Sequence, residues 1–264
     1  MASGYPLFPD RIPDMSSIRS GHYSADFARG REELEEVQRL RFQVFNLELG
    51  EGLEQSYATR KDEDPYDAHC HHLIIRDEHT GELVGTYRMQ DAEMASGGNG
   101  FYSDSEFHLE QLPADLLARS LELGRACIAE KHRSGRVLFL LWRGLLYYLQ
   151  KNNLQYFFGC CSLASQDPEE GWALHTRLMR AGHMTPDLHI SPRGRYVCEK
   201  QEPGEEVIAH VMMPRLMRLY LDYGARMCSA PALDREFKTI DFLALFHLDD
   251  ISPKLRTVFE KDLV

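Results

Sequence analysis

The segment Leu121–Ile128 constrains the fold more than any other part of this chain, because it combines a strand-like apolar pattern with two charges and a glycine. Charged residues inside a central strand are destabilising unless they have partners, and such positions are candidates for chemistry. In a flat strand Glu122 and Arg125 point to opposite faces, whereas a bulge at Gly124 brings them toward the same face. We therefore expect a bulged central strand, with Glu122 serving function and Arg125 serving either function or a structural ion pair.

A charge also lies on the apolar face of the first predicted helix, which runs from about Arg31 to Glu48. At about 100° per residue, this face is formed by Leu34, Val37, Leu40, Val44 and Phe45. Arg41 falls near the middle of the face, and a guanidinium directed into a core needs a carboxylate partner. The acidic cluster Lys61–Asp67 supplies that partner, unless Arg41 extends along the helix to solvent.

Two polar clusters resemble metal sites but lack the spacing that metal ligation needs. Asp62, Asp64 and Asp67 have neither the central glycine nor the distant bidentate glutamate of a calcium loop. In His69–His72, adjacent residues of an extended chain point to opposite faces and do not converge on one tetrahedral zinc ion. We predict no metal ion and assign the aspartates to inward-facing arginines.

A hairpin follows the acidic cluster, with strands predicted at His72–Arg76 and Leu83–Gln90. In the second strand Val84, Thr86 and Arg88 share one face.

A basic loop leads from the charged strand into a buried helix. Residues 128–152 carry five basic side chains against one acidic one, a local net charge of +4 in a chain whose net charge is −11. Free backbone amides and the helix dipole favour an anion at a helix N-terminus. Arg133, Ser134, Gly135 and Arg136 therefore form a candidate anion site, with a solvated basic patch as the alternative.

The net charge of −11, from 30 basic and 41 acidic residues, repels polyanions and anionic membranes. It excludes a general nucleic-acid binder and leaves at most peripheral membrane contact. The apolar run Val137–Leu149 is interrupted by Arg143 and Gly144, and is shorter than the ~20 residues of a membrane span. Because the sequence also shows no secretory signal and no paired cysteine spacing, we expect a cytoplasmic protein with free cysteines.

Composition and pattern divide the chain into three parts. We predict a loosely ordered N-terminal arm at 1–29, a core domain at 30–204 and a mainly helical C-terminal extension at 205–264 that packs on the core. Within the extension, Pro214–Tyr223 and Phe237–Leu248 have helical patterns separated by the break at Ala230-Pro231.

Several motifs occur in an order that resembles one superfamily. They are Leu40–Phe45, Asp62-x-Asp64-x-x-Asp67 followed by His72-Leu73, Gly85–Arg88, Glu122–Arg125, and Tyr220–Ala225 with Pro231 and Asp234. Over roughly Leu34 to Phe246 the chain resembles the GCN5-related N-acyltransferase (GNAT) superfamily. It is most similar to its bacterial branch of ornithine-lipid (acyl-carrier-protein:ornithine) N-acyltransferases and long-chain N-acyl amino acid synthases, often labelled haemolysins. The resemblance implies an α/β (α+β) fold: a central mixed, mostly antiparallel sheet, helices on both faces and a helical C-terminal extension.

The resemblance also implies a reaction. A long-chain, 3-hydroxy fatty acyl group moves from the phosphopantetheine thioester of an acyl carrier protein to the amine of an amino acid, either ornithine or glycine. The implied partners are the carrier protein and the amino acid acceptor. No covalently bound cofactor is implied, and a coenzyme A thioester is the alternative donor.

The resemblance assigns roles to the charged residues as follows. Glu122 is the base that removes a proton from the acceptor's ammonium group, and Arg88 binds the acceptor's carboxylate. The ion pairs that hold the site together are formed by Arg41, Asp64, Asp67 and Arg125. The pantetheine phosphate or the acidic carrier protein is received by Arg133, Ser134, Gly135 and Arg136.

Three alternatives stay open at this point. Acyl-homoserine-lactone synthases share the arginine, aspartate and Glu-x-x-Arg pattern, but have a tryptophan where this chain has Leu49–Gly52. Coenzyme-A-dependent N-acetyltransferases have a glycine-rich pyrophosphate loop, of which Arg133–Val137 is a degenerate form. A membrane-active, haemolysin-like protein without enzymatic activity is disfavoured, because the chain has no span and no basic amphipathic helix.

Overall fold

A computed structural model describes residues 5–16, 18–133, 135–253 and 256–257. Its strands are β1 (Arg19–Ser20), β2 (Tyr23–Phe27), β3 (His71–Asp77), β4 (Leu83–Asp91), β5 (Ser120–Ile128), β6 (Tyr156–Leu163), β7 (Arg226–Met227), β8 (Ala232–Asp234) and β9 (Thr239–His247). Its α-helices are α1 (Arg31–Phe42), α2 (Ser56–Thr59), α3 (Ala92–Ser96), α4 (Ala114–Ala118), α5 (Gly135–Lys151), α6 (Pro168–Arg180), α7 (Glu205–His210) and α8 (Arg215–Asp222). A π-helical turn, Gln43–Glu48, continues α1.

The chain divides into two compact units. Unit 1 comprises Met1–Gly100, Leu121–Gln155 and Pro253–Val264, and unit 2 comprises Phe101–Ser120 and Tyr156–Ser252. The boundaries predicted at residues 29 and 204 do not coincide with the limits of these units.

The sheet of unit 1 is antiparallel, and its strands β1 to β5 follow one another in chain order. The predicted hairpin is formed by β3 and β4, with His72 opposite Arg88. All five residues of β2 pair with β3. The expectation of a loosely ordered arm at 1–29 is therefore wrong for Tyr23–Phe27, whose burial alternates as in a strand that covers a core on one face.

Helices cover both faces of the unit 1 sheet, as expected. α5 packs against β2, β3 and β4 on the face that carries Leu73, and α1 packs on the opposite face, where Val37 and Ile74 belong to one apolar cluster. At Gly144 of α5, an added Cβ would lie 2.8 Å from the methyl groups of Leu73. Only a residue without a side chain lets the helix approach the sheet this closely.

Unit 2 is built on β9, which pairs antiparallel with β6, β7 and β8. The expectation that Phe237–Leu248 is helical is wrong, because Thr239–His247 forms this strand. Its first five residues are all buried, so the segment lacks the alternation by which a half-exposed strand is distinguished from a buried helix. The extension predicted as mainly helical at 205–264 thus contributes three strands as well as α7 and α8.

Candidate active site

Buried polar residues share one face of the unit 1 sheet, which we call the polar face. In the antiparallel register Gln90 lies opposite Glu122, and Arg88 lies opposite Gly124. On its other side Arg88 lies opposite His72. Directly opposed residues of antiparallel strands point the same way, so these positions form a row across β3, β4 and β5. His72, Arg88, Gln90 and Glu122 are all buried.

The predicted bulge lies in β5 directly after Gly124. The register passes from Arg88 opposite Gly124 to Thr86 opposite Cys127, so two residues of β5 face one residue of β4. Arg125 has a left-handed backbone with φ 51°, which is uncommon for a residue with a side chain. The bulge turns the Arg125 guanidinium toward the polar face, where its ion pairs hold this conformation.

The guanidinium of Arg41 contacts two carboxylates of the acidic cluster, which confirms the predicted pairing. Its Nε donates to Asp62 Oδ2 at 2.8 Å, and its Nη1 and Nη2 donate to the two oxygens of Asp67 at 2.8 and 3.2 Å. Gln38 Nε2, one turn earlier on α1, donates to Asp67 Oδ2 at 3.0 Å. Because the Arg41 side chain is 0% exposed, the alternative in which it extends to solvent is wrong.

Two further arginines contact the same aspartates. Arg88 Nη1 donates to both oxygens of Asp64, at 2.7 and 2.6 Å, and to Asp67 Oδ1 at 3.0 Å. Arg125 Nη2 donates to Asp64 Oδ2 at 3.1 Å, and its Nε lies 3.2 Å from Asp62 Oδ2. Three arginines from α1, β4 and β5 thus neutralise three aspartates of one loop. We call this set the arginine–aspartate frame; it consists of Arg41, Arg88, Arg125, Asp62, Asp64 and Asp67.

Each charge of the frame is stabilised by its neighbours. Burial acts to raise the pKa of Asp67, but Arg41 and the His72 side chain outweigh it and hold that pKa well below its usual range. Burial likewise acts to lower the pKa of Arg88, and the carboxylate of Asp64 reverses this, so that the Arg88 pKa is raised. These groups are therefore ionised at neutral pH, and each buried charge has a partner of opposite sign.

A neutral pair of side chains extends the frame on the β3 side. Tyr5 Oη lies 2.8 Å from His72 Nδ1, and His72 Nε2 lies 3.5 Å from Asp67 Oδ1. Burial lowers the pKa of His72 and raises that of Tyr5, so both groups are neutral near pH 7. The nearby carboxylate favours the imidazole tautomer protonated at Nε2, and the tyrosine hydroxyl then donates to Nδ1. The sequence alone predicts no role for either residue.

Glu122 lies on the polar face beside the frame, with an uncharged partner. Gln90 Nε2 donates to Glu122 Oε2 at 2.6 Å and to the carbonyl oxygen of Gly100 at 3.2 Å. A buried carboxylate fixed on a central strand is suited to accept a proton from a bound amine. The catalytic role of Glu122 stays a prediction, as does the binding of a substrate carboxylate by Arg88, which the frame engages through Nη1.

The basic loop leads into α5, which begins at Gly135. Arg133 pairs with Glu48, and its side chain is 41% exposed. Gly135 and Arg136 are also exposed, whereas Ser134 lies outside the described residues. Two arginines thus flank the first turn of a 17-residue helix. The assignment of this loop to the acyl donor stays a prediction.

Unit 2 buries a second group of carboxylates, whose proximity is not predicted from the sequence. One oxygen each of Glu106, Asp234 and Asp241 lies within 4.8 Å of the others, and we call these three residues the carboxyl cluster. Burial raises the pKa of Glu106 well above its usual range and that of Asp241 to about 6. In the sequence, only Asp241 indicates this cluster, because it is a charged residue inside an apolar segment, like Glu122 and Arg125 in Leu121–Ile128.

Comparison with known proteins identifies relatives along almost the whole chain. Residues 40–143 match the acetyltransferase (GNAT) domain family. The chain is 31% identical over 248 residues to the L-ornithine N(alpha)-acyltransferase of Brucella abortus. The aligned region covers 89% of this chain and 88% of that protein. The chain is 30% identical to the protein of the same name from Rhodobacter capsulatus, which covers 90% and 95% of the two chains. Among the described residues, no helix has the length and apolar composition needed to cross a membrane.

The chain is also similar to two solved structures. The AHL synthase LasI has a TM-score of 0.47 at 14% identity, covering 87% of this chain and 91% of that one. FeeM, an N-acyl amino acid synthase from uncultured soil microbes, has a TM-score of 0.47 at 12% identity, covering 87% and 93%. The domain match, together with the antiparallel strands and the helices on both sheet faces, confirms the expected GNAT fold.

Proposed function

The chain belongs to the L-ornithine N(alpha)-acyltransferase family, and from this premise we propose that it acylates the α-amine of L-ornithine with a long-chain 3-hydroxy fatty acyl group. The donor is the phosphopantetheine thioester of an acyl carrier protein, and the product is a lyso-ornithine lipid. The observation that carries the proposal is the buried Glu122 carboxylate on the polar face, beside a frame of fixed charges. Membership in an acyltransferase family sets aside the alternative of a membrane-active protein without enzymatic activity.

The proposed reaction begins with removal of a proton, because an ammonium group has no lone pair with which to attack. Glu122 accepts a proton from the ornithine α-ammonium, directly or through a water molecule. The free amine then attacks the thioester carbonyl carbon, and a C–N bond forms. As the C–S bond breaks, the sulfur leaves as a thiolate that takes up one proton, while the nitrogen loses its second proton to yield the amide.

The arginine–aspartate frame supports this step by holding α1, β4 and β5 in one arrangement. Arg88 is the proposed cation for the ornithine carboxylate, and its raised pKa keeps it charged at any working pH. Arg41 and Arg125 fix the aspartates from the other two elements. The frame thus keeps the strand that carries Glu122 next to the strand that carries Arg88.

The base assignment is tested by turnover of purified protein with L-ornithine and a long-chain 3-hydroxyacyl carrier protein. Glu122→Gln keeps the shape of the side chain but accepts no proton, and should lower kcat by roughly 10²- to 10⁴-fold. Glu130→Gln changes an exposed glutamate just beyond β5, and this matched control should turn over like the wild type. Near-normal turnover of Glu122→Gln at saturating substrates would overturn the assignment. Turnover of another amino acid in preference to ornithine would overturn the acceptor.

We also propose that the exposed Arg133 and Arg136 at the start of α5 receive the acidic carrier protein or its phosphate. Arg136→Glu should raise KM for the acyl carrier protein by about tenfold and leave KM for ornithine unchanged. Lys151→Glu makes the same charge change at the exposed far end of α5 and serves as the control. Equal effects of the two substitutions would refute the location. A coenzyme A thioester turned over as efficiently as the carrier protein would refute the donor.

A further inference from the structure

The Gln90 side chain forms hydrogen bonds both with the proposed base, Glu122, and with Gly100, at the end of the segment that follows β4. Its side-chain nitrogen carries two N–H groups, and two acceptors lie within reach, namely Glu122 Oε2 at 2.6 Å and the Gly100 carbonyl oxygen at 3.2 Å. Since a backbone carbonyl and an ionised carboxylate only accept, the amide must present its nitrogen to both, which fixes its orientation. Gln90 is 2% exposed, so water competes little for these bonds.

We propose that Gln90 is a positioning residue that donates a hydrogen bond to the Glu122 carboxylate and so orients it to accept the proton of the amine. This inference rests on the proposed function of Glu122. A short N–H···O⁻ bond fixes the direction of the carboxylate oxygen that accepts it and favours the form of the carboxylate that can take up a proton. Because the Gln90 amide is uncharged, it stabilises the carboxylate less than a lysine or arginine donor would. A cationic donor would make the carboxylate a weaker base.

The far end of Gln90 is fixed by the segment that ends at Gly100. Asp91 begins this segment by accepting two backbone N–H groups of α3, each at 3.0 Å. Asn99 Nδ2 donates to the carbonyl oxygen of Pro65 at 2.9 Å, which attaches the segment to the acidic loop. The Gly100 carbonyl is therefore held in place, and rotation of the Gln90 amide away from Glu122 would break a second bond.

The central test compares two substitutions on the same face of β4. Gln90→Met keeps the length of the side chain and removes both N–H donors. It should lower kcat about tenfold and move the acid limb of the kcat–pH profile upward by about one pH unit. Thr86→Val removes a buried hydroxyl that donates to the Leu73 carbonyl at 2.8 Å, and should leave the limb where it is. An acid limb that does not move in Gln90→Met overturns the proposal.

A second comparison separates action through Glu122 from a general structural effect. In a Glu122→Gln background, Gln90→Met should lower the residual kcat by less than about twofold, because the group on which Gln90 acts is already gone. A full tenfold loss in that background would show that Gln90 supports the fold and not the base. Thermal melting of each variant identifies any loss caused by unfolding.

An exchange of the two side chains completes the design. Gln90→Glu combined with Glu122→Gln keeps an amide–carboxylate pair across the strands but moves the carboxylate to β4. Melting should exceed that of Gln90→Glu alone but stay below the wild type, because the Gly100 carbonyl then faces a carboxylate that cannot donate to it. The kcat should remain as low as in Glu122→Gln. Wild-type turnover in the exchanged protein would overturn the positional role.

The failure of the proposed base and the failure of the role of Gln90 can be distinguished. If Glu122→Gln alone retains full turnover, both proposals fail. If Glu122→Gln is inactive and Gln90→Met does not shift the acid limb, only the role of Gln90 fails.

Discussion

Each compact unit contains a buried cluster of three carboxylates, but the two units stabilise these clusters in different ways. In unit 1 the three aspartates of the frame face three arginines whose side chains are at most 8% exposed. In unit 2 the carboxyl cluster takes part in no ion pair among the described residues. Its contacts are with uncharged groups, such as the Thr239 hydroxyl at 3.2 Å from Asp241 Oδ2 and the Cys160 thiol at 3.5 Å from Glu106 Oε2. The pKa values of Asp64 and Asp67 are therefore lowered in unit 1, whereas those of Glu106 and Asp241 are raised in unit 2.

This difference gives the two units opposite dependence on pH. In unit 1 burial acts to raise the pKa of Asp64 and Asp67, but the arginines lower both. Their contribution is complete above the ordinary aspartate pKa of about 3.9 and is lost as pH falls through the lowered values. In unit 2 burial raises the pKa of Glu106 and Asp241, so their contribution is complete in acid and is lost as pH rises, through about 6 for Asp241. Stability should therefore be greatest near about pH 4 and should fall as pH rises toward 6.

Arg41→Met should break the unit 1 arrangement with the largest effect. The substitution fills much of the same volume but leaves Asp62 and Asp67 buried with one positive charge fewer. Removing one partner of a buried ion pair costs about 3–5 kcal/mol in the free energy of unfolding. Trp142 belongs to unit 1 and Trp172 to unit 2, so denaturant titration followed by fluorescence in a Trp172→Phe background reports on unit 1.

Arg39→Met is the matched control for this prediction. Arg39 lies on the same helix, its side chain is 58% exposed, and it pairs with Glu35 at the surface. Its loss should change the free energy of unfolding by less than about 1 kcal/mol. If the two variants were equally stable, the buried frame would contribute no more than a surface ion pair.

The charged groups Arg41 and Arg125 of unit 1 can be predicted from the sequence, because each is a charged residue at a position where the local pattern requires an apolar one. Arg41 interrupts an apolar helix face, and Arg125 follows a glycine inside an apolar strand, so each requires a partner and a bulge is expected. The partner of Gln90, in contrast, depends on the register of β4 against β5, which only the folded sheet defines.

In unit 2 the corresponding charge is hidden by the pattern around it. Asp241 lies inside an apolar strand, but the first five residues of that strand are all buried and show no alternation, so the pattern of Phe237–Leu248 predicts a helix. Glu106 lies in an irregular segment, where a single acidic residue normally faces solvent. The two meet only through long-range packing, which no local pattern encodes.

Asp241→Asn should sharpen the comparison with an intermediate effect of opposite sign. At pH 8 the wild type holds an ionised carboxylate that burial disfavours, and asparagine removes that charge while keeping the shape. We expect unit 2 to become more stable by about 1–2 kcal/mol at pH 8. The gain should be smaller at pH 5, because the unfolded carboxyl is ionised at both pH values, whereas Asp241 in the folded protein is ionised only at pH 8. Denaturant titrations at both pH values in a Trp142→Phe background, which leaves Trp172 in unit 2, measure the difference.

A change in stability that is the same at pH 5 and pH 8 would contradict this prediction, because it would mean that Asp241 does not change its charge in that range. Asp187→Asn is the control, since Asp187 also lies in unit 2 but is exposed. Its substitution should alter stability by less than about 0.5 kcal/mol at either pH.

Tyr5→Phe should have the smallest effect, and its lack of pH dependence completes the contrast. The substitution removes the hydroxyl that lies 2.8 Å from His72 Nδ1 and leaves a buried nitrogen without that donor, at a cost of about 1 kcal/mol to unit 1. The pKa of Tyr5 is raised and that of His72 is lowered, so both groups stay neutral between pH 7 and pH 9, and the loss should be constant there. Tyr148→Phe, which removes a hydroxyl 3.0 Å from His71 Nδ1 on the opposite face of the sheet, should cost a similar amount. A loss in Tyr5→Phe that grows with pH would show that this pair carries charge. The slope against pH, more than the size of the effect, therefore distinguishes the neutral edge of the frame in unit 1 from the titrating cluster in unit 2.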